Sequence, residues 1–262
     1  MLEGGEAGGQ TSPLPGLASI SAILPGVTLL LLTPIALDPS CWEHVPLPAL
    51  DTISHTFPGF GGRPRAAEQP TMASLADEIA ASYEGELDVA GVSMGGMVAQ
   101  HLAVRHPQRV RSLFVACTGA STDPATMAQR AADAEAGGMA AVLQTTLERW
   151  FTAAALAVQP ELPAVAYARR TLLALDPACF ADGWRAIGGH DIVARLGEIA
   201  VPTTALAGSA DSASTVARTR VISEGVPGAR LVVLDGPHMM HLEHPHEFGA
   251  ALAEHLRWAG RL

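Results

Sequence analysis

The serine of Gly91-Val92-Ser93-Met94-Gly95 is the side chain of this 262-residue sequence best placed to attack a carbonyl. The apolar run Leu87-Asp88-Val89-Ala90 leads into it and the apolar-periodic segment from Met97 to His106 leads out, which predicts strand, sharp turn and helix. A serine hydroxyl is a poor nucleophile at neutral pH. It needs exposure on a tight turn, a base to take its proton, and amide N–H groups aimed at the oxyanion that develops. The glycines at 91 and 95 leave room for the turn, and the helix that follows directs its positive end at the reacting atoms. A small-residue turn that merely contains serine would look the same over five residues, so the case rests on what lies further along. Val201 to Ala207 reads as a buried strand followed by Gly208-Ser209-Ala210-Asp211, which puts a carboxylate just past a strand end. Leu231 to Leu234 reads as another, followed by Asp235-Gly236-Pro237-His238. Serine, acid and histidine in that chain order, each on a loop after a strand, make Ser93 the expected nucleophile, Asp211 the orienting acid and His238 the general base. Aspartate in a Ser-rich turn has a bland reading too, since both residues favour turns for local reasons.

These loops need a framework of strands and helices. Apolar residues from Val27 predict a first strand, Thr52–Phe57 a second, Thr71–Tyr83 a helix and Val110–Ala116 another strand. The alternation of strand and helix predicts an α/β fold with a mostly parallel sheet flanked by helices. Residues 118 to 195 break the alternation with Ala-rich helical stretches, Ala125–Arg149 and Pro163–Leu175, and read as an inserted helical lid over the carboxyl ends of the strands. The core is then 17–117 with 196–262, and its last helices are Thr215–Glu224 and Glu247–Trp258. Residues 1–16, glycine-rich and acidic at the start, read as a flexible tail, with Leu17–Leu24 the one stretch open to an initial edge strand.

Composition excludes several classes. Every one of the 16 Lys-plus-Arg residues is arginine, against 26 acids, for a net charge of −10. Such a surface does not suit nucleic acid. No positive segment precedes an apolar core at the start, which argues against a secretory signal. Prolines at 15, 25 and 34 interrupt the apolar stretch Leu14–Leu37, so no membrane span is expected. Cys41, Cys117 and Cys179 lie far apart and are odd in number, which reads as free thiols and a cytoplasmic protein. None sits on a strand-to-helix turn, so a cysteine nucleophile is not expected. The histidines at 238, 241, 244 and 246 lack the carboxylate or cysteine spacing of a metal site, so no metal is expected and the last three read as surface or loop-packing residues.

From Val27 to Leu256 the chain resembles an α/β-hydrolase, and within that fold it is most similar to the 3-oxoadipate enol-lactonases. The resemblance lies in the stretch from Gly91 to Gln100, in His106-Pro107-Gln108-Arg109-Val110, in Arg149-Trp150-Phe151-Thr152, and in Ala186-Ile187 with Asp191 before Ile199-Ala200-Val201-Pro202-Thr203. Many relatives carry a His-Gly pair after the first parallel strand; here Leu29–Leu32 runs into Thr33-Pro34-Ile35, and Pro34 has no N–H to give. The resemblance therefore implies an oxyanion hole from the amides of Ile35 and Met94. Thr33 reads as a cap or as a supporting hydroxyl. It further implies hydrolysis of an ester or lactone through an acyl-enzyme, with a small-molecule substrate and no cofactor. An anionic lactone would need a local cation inside an acidic protein, and Arg149, Arg169, Arg170 and Arg185 are the lid arginines open to that role. Trp150, Phe151, Tyr167, Phe180 and Trp184 either line the pocket or form the lid's own small core; Arg149, Trp150 and Trp184 are the expected substrate contacts. An esterase, a perhydrolase-like enzyme and a biosynthetic tailoring hydrolase would share the same three residues. A hydrolase-fold protein that binds a ligand without turnover is the reading from a different class, and it requires the Pro34 loop to leave the oxyanion hole unformed.

Overall fold

The structure, a computed structural model, describes residues 28–262. The expected tail and the Leu17–Leu24 strand lie outside the described residues. In chain order the strands are β1 (Thr28–Leu32), β2 (Asp51–His55), β3 (Leu87–Val92), β4 (Val110–Ala116), β5 (Thr203–Gly208) and β6 (Arg230–Leu234). They form one sheet in the order β2-β1-β3-β4-β5-β6, with every pairing parallel. Covered on both faces, the inner strands read as continuous runs rather than alternating ones: Leu29 to Leu32 and all of β3 are buried. The edge strand β6 is only partly covered.

Helices α1 (Met72–Ser82) and α2 (Met94–Arg105) follow β2 and β3. The first is started by a reciprocal cap, in which the Thr71 side chain accepts from the Ser74 amide and the Ser74 side chain from the Thr71 amide. Between β4 and β5 lie α3 (Pro124–Trp150), α4 (Ala153–Ala157), α5 (Pro163–Ala174) and α6 (Pro177–Gly188), and α7 (Val216–Gly225), α8 (Met240–Glu243) and α9 (Pro245–Trp258) complete the chain. Among the described residues no helix is long and apolar enough to cross a membrane.

The chain leaves β1 toward β2 on one side and returns to place β3 on the other. A crevice opens at such a reversal, outside the carboxyl ends of the strands, and it is where open parallel sheets bind ligands. The register pairs Leu32 of β1 with Gly91 of β3, so the loops carrying Ile35 and Ser93 leave the sheet side by side. Leu206 of β5 pairs with both Ala116 of β4 and Val232 of β6, which brings the remaining loops to the same end.

The long helix departs from the sequence expectation. Residues 124–150 are two helices joined at Gly138, whose φ of 72° and ψ of 176° are not helical. A straight helix would set positions 130 and 149 nearly 30 Å apart. The fold-back instead lays both limbs along α6: Arg185 pairs with Glu135 on the first limb, and Trp184 lies under Arg149 of the second. Several bonds tie the helices between β4 and β5 to the rest, among them Tyr167 to Asp38 and Thr152 to Glu243. Arg65 bonds Asp182 at 2.6 Å, and Met239 N–H donates to the Trp150 carbonyl at 2.9 Å.

Candidate active site

Ser93 sits at the N-cap of α2 with φ 53° and ψ −115°, a conformation that side chains rarely adopt. Neighbouring bonds hold it there: its N–H donates to the Ala116 carbonyl at 2.9 Å, and its own carbonyl accepts from Thr118 Oγ1 at 2.9 Å. The flanking glycines are required by backbone approach. A Cβ at position 91 would lie 2.4 Å from the Gly95 carbonyl oxygen, and one at position 95 would lie 2.3 Å from that of Leu32.

Asp211 and His238 meet because the loops after β5 and β6 touch through their backbones. A Cβ on Gly208 would be 2.4 Å from the Gly236 oxygen, and Ala210 N–H donates to that same carbonyl at 2.9 Å. His238 Nδ1–H donates to Asp211 Oδ2 at 2.8 Å, and Ser93 Oγ–H donates to His238 Nε2 at 3.0 Å. The second Asp211 oxygen accepts from the amides of Ala213 and Ser214 at 2.8 and 2.7 Å, which fixes the carboxylate. All three side chains are nearly buried, with 4 to 6 % exposure. With Nδ1–H committed to the carboxylate, Nε2 carries the lone pair that faces the serine proton.

The amides of Ile35 and Met94 donate to no protein acceptor among the described residues. Met94 is in the first turn of α2, where backbone N–H groups have no partner within the helix. Ile35 precedes Ala36, whose φ of 69° marks a tight turn, and its side chain packs against Gly183 of α6. The Thr33 hydroxyl is buried and has no partner among the described residues.

Above these groups is a narrow cavity of about 40 Å³, well below the usual span of small-molecule sites with the side chains as they stand. Ser93, His238 and Ile35 form its floor, and Arg149, Trp150 and Trp184 are all in its wall. The other expected lid arginines lie elsewhere. Arg169 pairs with Glu161, Arg185 with Glu135, and Arg170 lies over the Tyr167 ring. Tyr167 itself bonds Asp38 at 3.0 Å, and Phe180 packs edge-on to Trp184. Among the wall residues missed in the sequence are two arginines, Arg130 and Arg218. Arg130 and Arg149 are half-buried with no carboxylate partner, and burial, followed by a neighbouring arginine's charge, lowers both; Arg149 falls to about 10.

Of the two readings left open for His241, surface or loop packing, the structure shows packing. His241 is fully buried, packs against Trp42 and Phe248, and neither ring nitrogen has a partner among the described residues. Burial drops it to about 3, so the ring is neutral. The turn-like spacing of the four histidines gave no hint that α8 tucks this one under the loop.

A family model described as the alpha/beta hydrolase family matches residues 23–251. A pimeloyl acyl-carrier-protein methyl ester esterase of Chromobacterium violaceum is 33% identical over 216 residues, covering 76% of this chain and 81% of that protein. A 3-oxoadipate enol-lactonase of Acinetobacter baylyi is 31% identical over 163 residues, covering 62% of this chain and 60% of its own. The crystal structure of the enol-lactonase from Burkholderia xenovorans LB400 superposes with a TM-score of 0.83 at 26% identity, covering 88% of this chain and 92% of that one.

Proposed function

The chain belongs to the alpha/beta hydrolase family, and on that footing we propose that it is a serine hydrolase cleaving a carboxylic ester or lactone through an acyl-enzyme, with a small enol-lactone as the preferred substrate. The observation that carries the reading is the continuous chain from Ser93 Oγ through His238 to Asp211, at 3.0 and 2.8 Å. His238 Nε2 takes the serine proton as Oγ attacks the carbonyl, and Asp211 stabilises the imidazolium. The oxyanion forms against the free amides of Ile35 and Met94, each contributing about 3 kcal/mol to the transition state. His238 returns the proton to the leaving oxygen. If that oxygen belongs to an enol lactone it stays tethered as an enol and tautomerises to a ketone. Water, activated by the same imidazole, then releases the acid.

In this reading residues 118–195 are a lid and 17–117 with 196–262 the catalytic core. The enol-lactone assignment is supported by the two enol-lactonase relatives and by the cationic wall of the pocket. A methyl ester esterase is the second reading, favoured by the 33% identity to a protein of that name. One experiment addresses both. Purified protein and Ser93→Ala are treated with a fluorophosphonate probe and then given an enol lactone, a methyl ester and a simple aryl ester. Labelling that depends on Ser93, with the lactone turned over best, is the expected result. Best turnover of the methyl ester selects the second reading. Equal turnover by Ser93→Ala would sink both, and absent labelling would favour a ligand-binding protein without turnover.

A further inference from the structure

The cavity wall beside Ser93 is unusual in what it offers a ligand. Arg130 and Arg149 place their guanidinium carbons 4.7 and 5.8 Å from the centroid of the Trp184 ring. Their polar contacts within the protein are weak or neutral: Arg130 to Met127 Sδ at 4.0 Å, and Arg149 to Thr146 Oγ1 at 3.0 Å. The indole N–H of Trp184 is buried and has no acceptor among the described residues. Arg218 lines the same cavity from an exposed position on α7. Donors therefore converge from three elements, and among the described residues no acid is paired with Arg130 or Arg149, while Arg218 has Asp123 within reach of its charge.

This arrangement is costly for a protein that has acids to spare. Arg65 and Arg185 share Asp182, Arg169 holds Glu161, and even the buried Asp88 has Arg111. Two half-buried cations side by side repel one another and lose hydration, and the Trp184 ring they share returns only part of that energy. Their charges are already felt in the free protein, since Arg130 helps to lower Arg149. A neutral acyl group would leave both uncompensated, and a single carboxylate would compensate one.

We propose that this wall is a dianion subsite, so that the preferred ester or lactone carries two negative charges besides its scissile carbonyl, held by Arg130 and Arg149 with the Trp184 N–H as a third donor. The inference rests on the hydrolase reading only for the identity of the scissile bond. Planar guanidiniums donate to carboxylate or phosphate oxygens two at a time, so two carboxylates or one phosphate monoester satisfy the same wall. Arg218, at the mouth, meets the anion first and offsets the repulsion of a protein with net charge −10.

The test uses 4-nitrophenyl esters of matched length with no carboxylate, one carboxylate, two carboxylates or one phosphate. Intact protein is expected to show kcat/KM rising about tenfold or more from the neutral to the singly charged ester, and again to a doubly charged one, mostly through KM. Whether the dicarboxylate or the phosphate ester is faster identifies the source of the charge. Titration calorimetry with acetate, succinate and inorganic phosphate reads the same subsite without turnover. A dianion should bind at least tenfold tighter than acetate. In Arg130→Gln/Arg149→Gln both preferences should fall to near unity, whereas Arg169→Gln, away from the cavity, should keep them. Replacing uncompensated cations is not expected to lower Tm, and circular dichroism verifies that the double variant is folded. A flat charge series with Ser93 labelled by fluorophosphonate would overturn the subsite and leave the hydrolase. A preference that survives the double variant would overturn it as well. Dianion binding that is lost in the double variant, in a protein whose Ser93 resists labelling, would uphold the subsite and overturn the hydrolase.

Discussion

Asp211 has both carboxylate oxygens in use, and the division of labour between them sets the tautomer of His238. Oδ1 holds the amides of Ala213 and Ser214 while Oδ2 accepts the proton on Nδ1. An asparagine there keeps the shape but has a single acceptor oxygen. That oxygen remains with the two amides, so the side-chain NH2 turns toward His238. Nδ1 must then accept, the ring proton moves to Nε2, and Nε2 can no longer take a proton from Ser93 Oγ. Asp211→Asn is therefore expected to lower kcat by about 10⁴ with a much smaller change in KM. Initial rates on an aryl ester measure this, and a variant within tenfold of wild type would show that Asp211 does not govern the tautomer. In the proposed reading three residues carry this chemistry, and their types and chain order stand out in the sequence because each follows a short apolar strand. Arg130 and Arg218 were not legible. Nothing in one dimension separates Arg130 from Arg169, since Arg169 is neutralised by Glu161 only after the chain has folded.

Gly138 determines which arginines reach the site, through the shape of α3. The Ala-rich stretch was legible as helix, and the Gly137-Gly138 pair marks its weak point, since glycine disfavours helix by about 1 kcal/mol relative to alanine. The pattern could not give the direction of the break, which depends on α6 lying against both limbs. At Gly138 a Cβ would meet no neighbour, yet φ is 72°, so an alanine there is strained by its own backbone rather than by contact. Gly138→Ala is expected to cost about 1 kcal/mol, a fall in Tm of roughly 2–4 °C for a chain of this size. It should also weaken any preference for anionic esters, because it biases α3 toward a straight helix that draws Arg130 away from Arg149. Thermal melts and the ester series read the two effects separately. Unchanged stability would mean that the fold-back is imposed by α6 packing alone. Elsewhere the elements stand close to expectation: β4 spans the expected Val110–Ala116, and β6 and α9 begin one and two residues early. Where the hydrophobic period is local and one face is buried, sequence suffices. His241 is the counter-example, a polar residue buried by the way α8 docks on Trp42.

Across the whole molecule, five histidines, His101 half-buried and the other four buried, tie stability to pH. Burial is the leading cause in each: His55, His101, His190 and His255 are lowered to about 4, and His241 to about 3. They lie on different elements, from β2 and α2 to α8 and α9, so their effect belongs to global unfolding rather than to one loop. The native state keeps these rings neutral, whereas the unfolded chain protonates them near 6.5. As pH falls from about 6.5 toward 4, the unfolded state takes up protons that the native state refuses, and stability drops throughout that window. Well above 6.5, beyond about pH 7.5, both states hold neutral rings and the contribution is constant. Asp88 works against the trend, since burial raises its carboxyl and a raised acid favours the native state as pH falls. It is one group against five, so the histidines set the sign. Urea midpoints measured at pH 7.5, 6.5, 5.5 and 4.5 should therefore fall modestly over the first interval, where the unfolded rings become half protonated, and more steeply over the next two. His241→Leu removes one of these protons and two buried nitrogens that have no partner among the described residues, so it should be about 1 kcal/mol more stable at pH 7 and have a shallower acid slope. Midpoints that stay level down to pH 4.5 would mean that the native state admits protons to these rings, which requires water or an acceptor at sites that are buried here.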